Sequence, residues 1–165
     1  MTNIHRLLVN VAEQSLSVYD HNDDIIKKYK IATAKNGIGQ QFGSECTPLG
    51  KHIIRAKIGD QQVKNTVFIG RRPTGEIYTE ELAKQYPNRD WILTRILWLS
   101  GCELGVNRLG KVDTMRRFIY IHGAPDSHAM GIASSHGCIK MRNENIIELF
   151  DSVSVGTQVI IKKTY

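Results

Sequence analysis

Leu16 and Val18 alternate with Ser15 and Ser17, a period of two that puts the apolar pair on one face of an extended chain. The pattern predicts a strand over residues 14–19, preceded by another over 7–11. Asp20-His21-Asn22-Asp23 is a run of turn formers, and residues 25–31 return as a third strand. A polar, glycine-bearing stretch, 35–44, leads through Thr47-Pro48-Leu49-Gly50 into two more strands, 52–57 and 66–69.

The middle of the chain is less regular. Pro73, Gly75 and Pro87 interrupt residues 71–89 and leave space for one short helix, 80–85. Residues 92–99 are apolar enough for a buried strand or a helical turn, and period alone does not separate the two. Three glycines make 101–111 a loop. These segments read equally well as the wall or flap of a cleft and as a plain surface excursion.

Order returns at 118–121, a strand that ends in His122-Gly123. A loop with Pro125 and Gly131 carries the chain to Ser135. Asn143 is expected to N-cap a helix that holds Ile146, Ile147, Leu149 and Phe150 on one face. Gly156-Thr157 then turns into a last strand, 158–162. There is no repeat, low-complexity tract or linker. The expectation is one mainly-β domain over residues 1–165 with one clear helix and at most a second short one.

A chain of 165 residues is long enough to bury a real core, and 41% apolar with 23% charged residues is ordinary for a soluble globular protein. No stretch approaches the roughly 18 apolar residues of a membrane span. The apolar stretch from Leu7 is too short and too polar for a signal-peptide core, and no small-residue cleavage site follows it. This points to the cytoplasm, with the periplasm as the alternative if a leader has been removed. The net charge of +6 is scattered in pairs such as Lys27-Lys28 and Arg116-Arg117. Without a motif or an aromatic platform this argues against nucleic acid. It leaves a solvated basic surface or an attraction for carboxylate-bearing substrates. Three widely spaced cysteines do not form a disulfide framework and suit a reducing compartment. Cys46 and Cys102 read as small packing residues.

Cys138 differs because of its neighbours, Ser135-His136-Gly137-Cys138. A thiol attacks only as thiolate, so it needs a lowered pKa or a base beside it. His122, on the rigid end of a strand with Gly123 beside it, is the candidate base. Gly137 permits a tight turn that can aim successive backbone N–H groups at one point, as an oxyanion hole requires. Lys140, two residues on, is placed to meet a substrate carboxylate, and Ser134 and Ser135 to hydrogen-bond within the turn. His122, His128, His136 and Cys138 are also ligand types for zinc, but their spacing matches no common zinc pattern. His5, His21 and His52 suggest no special role.

His122-Gly123, then Met130-Gly131, then Ser135-His136-Gly137-Cys138-Ile139-Lys140-Met141-Arg142-Asn143, resembles the YkuD-type L,D-transpeptidase domain. Thr47-Pro48-Leu49-Gly50 is similar to that family's Thr-Pro-x-Gly segment, and the closing helix and strand fit its end. The resemblance implies a β-sandwich-like domain with no metal or organic cofactor. It implies acyl-enzyme chemistry on peptidoglycan tetrapeptides or muropeptides, at the bond between diaminopimelate and D-alanine. Carbapenems acylate members of this family. By carry-over Cys138 is the nucleophile, His122 its base, and Gly123 orients the imidazole through its carbonyl. His136, Gly137 and Cys138 line the oxyanion site, and Lys140, Ser135, Met130 and Gly131 lie on the substrate side. Lys140 stands where the family commonly has arginine, keeping the charge without the bidentate fork. Relatives of this size without a leader act as cytoplasmic L,D-carboxypeptidases in wall-peptide recycling. That is the expected activity here; an exported cross-linking or protein-anchoring transpeptidase and a catalytically idle wall-peptide binding domain are the alternatives.

Overall fold

The computed structural model describes residues 3–164. β1 (Ile4–Asn10) pairs antiparallel with β2 (Ser15–Asp20), which pairs with β3 (Ile25–Lys30). The other edge of β1 lies parallel to the last strand, β10 (Gln158–Lys162). From β10 the sheet continues through β4 (Gly50–Ile58) to β7 (Ile92–Gly101). There the sheet divides. One branch of β7 carries the hairpin β5 (Thr66–Ile69) and β6 (Arg72–Ile77). The other carries β8 (Tyr120–Ala124), with β9 (Ile139–Arg142) parallel beyond it. The fold is therefore mainly β: one curled ten-stranded sheet, with helix α1 (Glu80–Gln85) near the hairpin and α2 (Asn143–Ser152) between β9 and β10.

The position of β7 explains why the period of residues 92–99 was ambiguous. It is flanked on both edges and buried along nearly its whole length. Such a strand needs no polar face and loses its alternation. The main core lies between the sheet and α2. Ile146, Leu149 and Phe150 pack there with Leu97, Leu99, Ile121, Ile139 and Met141. Tyr120 belongs to a separate apolar cluster with Phe68 and Ile96, on the opposite face of the sheet.

Three local expectations are corrected. Residues 118–121 do not form the strand; it starts at Tyr120, because Phe118 is left-handed (φ 57°) at the end of the 3₁₀ turn Met115–Arg117. Residues 72–77 are a strand despite Pro73 and Gly75, which an edge strand such as β6 tolerates. Asn143 is not the N-cap. β9 runs directly into α2, so extended Arg142 takes the cap position without a side-chain bond. Asn143 enters the first turn with its side chain buried. Its Oδ1 accepts from Thr94 Oγ1 (2.5 Å), and its Nδ2 donates to Asn65 Oδ1 (2.9 Å) and Asp126 Oδ1 (3.2 Å).

A strap formed by residues 31–47 is laced to the segment before and within β9. Ala32 and Lys140 exchange backbone bonds of 2.8 and 2.9 Å, and Thr33 O accepts from the N–H groups of Ser134 and Ser135. Thr47, fully buried, donates its hydroxyl to Gly137 O (2.9 Å) and accepts from Ala34 N (2.9 Å). The Thr-Pro segment thus holds the cysteine turn from behind.

Gly123 is required by space rather than by backbone conformation. A Cβ there would lie 2.5 Å from Asn143 Oδ1 and 2.6 Å from Leu93 O. Gly123→Ala should therefore destabilise the fold by about 1–3 kcal/mol, the usual cost of overpacking. Denaturant unfolding checks it: the midpoint should fall at unchanged slope.

Candidate active site

Cys138 sits at the threshold of β9, carried there by a turn only glycine fits. Gly137 has φ +128°, and a Cβ on it would lie 3.1 Å from Ile119 Cδ1 and 3.2 Å from Cys46 O. Ser135 Oγ bridges the turn, accepting from Gly137 N–H (3.2 Å) and donating to Cys138 O. The Cys138 thiol accepts from Tyr120 N–H and donates to Phe118 O, each at 3.3 Å. The Cys138 side chain is thus fixed against the start of β8, partly buried at the edge of its cleft.

The ladder places the candidate base. His122 is registered with Lys140, one pair beyond Ile121 and Ile139. Side chains alternate across a strand, so Tyr120 and His122 share the face on which Cys138 and Lys140 project. His122 is thus two positions along β8 from Tyr120, whose N–H meets the Cys138 thiol. Its Nδ1 lies 2.6 Å from Gly123 O. A carbonyl can only accept, so Nδ1 carries the proton and Nε2 keeps the lone pair.

Burial sets the resting charge of both groups. It pushes the Cys138 thiol up to about 12; the Asp90 carboxylate adds to the rise, while the Tyr120 N–H and Arg117 oppose it. Burial likewise lowers His122 below the usual imidazole value, Lys140 acting in the same sense and Asp90 and the Gly123 carbonyl against it. At neutral pH the site therefore rests as neutral thiol and neutral imidazole.

The thiol opens on a cleft of about 360 Å³ lined by Arg71, Asp90, Arg117, Tyr120, His136 and Cys138, among others. A second cleft of about 200 Å³, with Phe42 and Glu45, meets it at Arg117, Phe118 and His136. His136 is exposed on the rim where the two join. The other residues singled out in the sequence are dispersed. Lys140 does not line the cleft: its side chain is buried, and its Nζ lies 3.3 Å from His128 Nδ1. Met130 packs with Ala32 and Ala124, and Gly131 is exposed, its N–H donating to Ile31 O (2.8 Å). Among the described residues no group of three or more histidines, cysteines or acids is arranged to hold a metal ion. Cys46 and Cys102 are free thiols.

Sequence reasoning missed Arg117, Asp90 and Arg71. Arg117 donates to Gly39 O, Gln40 O, Ser44 Oγ and Cys46 O at 2.7–3.2 Å, tying the 39–46 loop to the rim of the Cys138 cleft. Asp90 and Arg71 come from segments read as irregular, and no local motif links them to Cys138. The segment 71–89 does contribute a cleft wall, through the β5–β6 turn at Arg71. The loop 101–111 contributes to neither cleft.

The L,D-transpeptidase catalytic domain model of the YkuD family matches residues 4–161. The probable L,D-transpeptidase YbiS of Escherichia coli K12 is 46% identical over 43 residues, 26% of this chain and 14% of that protein. The putative L,D-transpeptidase YqjB of Bacillus subtilis 168 is 40% identical over 45 residues, 27% of this chain and 26% of that protein. The matches thus span well under half the length of these relatives. Among solved structures, Bd1075 of Bdellovibrio bacteriovorus aligns with a TM-score of 0.60 at 19% identity, over 96% of this chain and 48% of that one. LdtMt1 in complex with imipenem aligns with a TM-score of 0.55 at 18% identity, over 94% of this chain and 57% of that one. These likenesses are of fold. With a family match that omits only the two ends, the chain belongs to the YkuD family of L,D-transpeptidase catalytic domains.

Proposed function

We propose that this domain cleaves the diaminopimelate–D-alanine bond of peptidoglycan tetrapeptides through a Cys138 acyl-enzyme, which water then resolves. The observation that supports the reading is a cleft-facing thiol held by Tyr120 N–H and Phe118 O, with buried His122 two positions on from Tyr120 in β8 and its Nδ1 committed to Gly123 O. Sγ attacks the diaminopimelate carbonyl carbon, its proton passes to His122 Nε2, and the carbonyl π pair moves to oxygen. The turn His136-Gly137-Cys138 faces that oxyanion; Gly137 N–H rests on Ser135 Oγ beforehand. Collapse re-forms the carbonyl and expels the D-alanine nitrogen, which takes the proton from His122. Water then attacks the thioester, its proton passing through Nε2 to the departing sulfur. The neutral resting pair suits this sequence, because the thiolate is made only as it is consumed.

The compartment is part of the same proposal. Three free cysteines suit a reducing space, where soluble peptides are dilute and water is the abundant acceptor. A cross-linking transpeptidase is the second reading. It is favoured by the smaller cleft meeting the first at His136, which offers an acceptor amine its own approach.

Tetrapeptide should be converted to tripeptide and free D-alanine, with little dimer. Mass spectrometry of the products, with and without an amine acceptor, checks this; a mixture dominated by 3–3 linked dimers selects the second reading. Wild-type protein should gain one imipenem adduct, and Cys138→Ala should neither gain it nor release D-alanine. Intact-mass measurement on both proteins checks that, and an unlabelled, inactive wild type would leave the domain a peptide binder. His122→Gln should slow acylation by about 100- to 10,000-fold, the scale of a lost general base. In the wild type the base must be unprotonated and its pKa is lowered, so the acylation rate should persist below pH 6.5 before falling. Lys140→Met removes a positive neighbour that lowers His122, so the acid limb should move to higher pH in single-turnover profiles.

A further inference from the structure

Two opposite charges, Asp90 and Arg71, line the Cys138 cleft without pairing with each other among the described residues. Asp90, on the connection from α1 to β7, is half-exposed and, among the described residues, accepts no hydrogen bond; its nearest basic group is His136 Nδ1 at 4.0 Å. Arg71, in the β5–β6 turn, lies 4.8 Å over the rings of both Trp98 and Phe118 and donates through one nitrogen to Tyr120 Oη (3.1 Å). No described carboxylate pairs with it. Arg117, the other arginine of the cleft, is already committed to four acceptors.

Stacking and the Tyr120 bond fix the direction of the Arg71 guanidinium, leaving its remaining N–H groups as a preset fork for a carboxylate. Asp90 presents acceptor-only oxygens suited to an ammonium. Oppositely charged side chains that line one cleft without pairing match a ligand that carries both charges on neighbouring atoms. We propose that Asp90 and Arg71 form a subsite for a free α-amino-acid head, Asp90 taking the ammonium and Arg71 the carboxylate, beside the reacting carbonyl. The inference rests on the reading of Cys138 as nucleophile. Such a head has two possible sources: the second amino-acid centre of diaminopimelate in the donor peptide, or a free amino acid approaching as acceptor.

The test compares kcat/KM for a diaminopimelate tetrapeptide with that for one bearing an apolar side chain, which lacks the head, at the same position. Wild-type protein should prefer the first. Asp90→Asn should reduce that preference about 10- to 100-fold, as the loss of one charge-assisted bond does, and Asp90→Glu should restore part of it. Arg71→Lys, which keeps the charge but not the fork, should reduce it less. A preference that is absent in the wild type, or unchanged in Asp90→Asn, overturns the donor arm. The acceptor arm is read from thioester exchange with a free D-amino acid, where Asp90→Asn should then raise the KM for that amino acid alone. If neither arm responds, the subsite does not exist. If Cys138→Ala still turns over tetrapeptide, the underlying reading has failed instead, and the two failures are told apart.

Discussion

The parallel pairing of β8 with β9 is the constraint on which the site depends. Its register, Ile121 with Ile139 and His122 with Lys140, sends Ile121, Ile139 and Met141 into the core against α2. The same alternation sends Tyr120, His122 and Cys138 the other way. A slip of one residue would turn the polar set into the apolar core against α2 and the apolar one away from it, so core packing itself enforces the alignment of His122 with the Cys138 side of the sheet. Parallel strands need a long connection, here residues 125–138, and that connection brings the glycine turn and the thiol.

Holding that turn takes more of the chain than the turn itself. Thr47 supports Gly137 from behind, Ser135 closes it from within, and the 31–35 strap is laced to its flanks. Arg117 then draws the 39–46 loop to the rim through four acceptors. Each of these bonds satisfies a polar group that would otherwise be stranded near a buried centre. The result is a thiol whose position is set by the backbone of its turn together with its contacts to Tyr120 N–H and Phe118 O.

Burial gives the site its electrostatic character. It disfavours both thiolate and imidazolium, so Cys138 and His122 rest uncharged. Lys140, buried behind them, bears on the base rather than on the cleft. Asp90 is the carboxylate whose field reaches Cys138, His122, His128 and Lys140 alike, which makes it the electrostatic counterweight of the Cys138 cleft in a basic protein.

What the sequence by itself determined was local. The period-two strands at the N-terminus, the helix at Glu80–Gln85, the Ser-His-Gly-Cys turn and the His-Gly strand end are each encoded within a few residues. Glycine at 137 and the resemblance of the cysteine segment to the YkuD family were readable for the same reason. The tertiary structure alone decided which face each side chain takes and which distant segments meet. β9 is four residues long and has no period to read, and Asn143, a good cap by type, is drawn inward by Thr94 and Asn65. Lys140 shares the Cys138 face of the ladder but meets His128, from the distant 125–138 connection, rather than open cleft. Asp90, Arg71 and Arg117 line the Cys138 cleft from three separate segments. Contacts of that kind are set by sheet register and packing over tens of residues, and no window along the chain contains them.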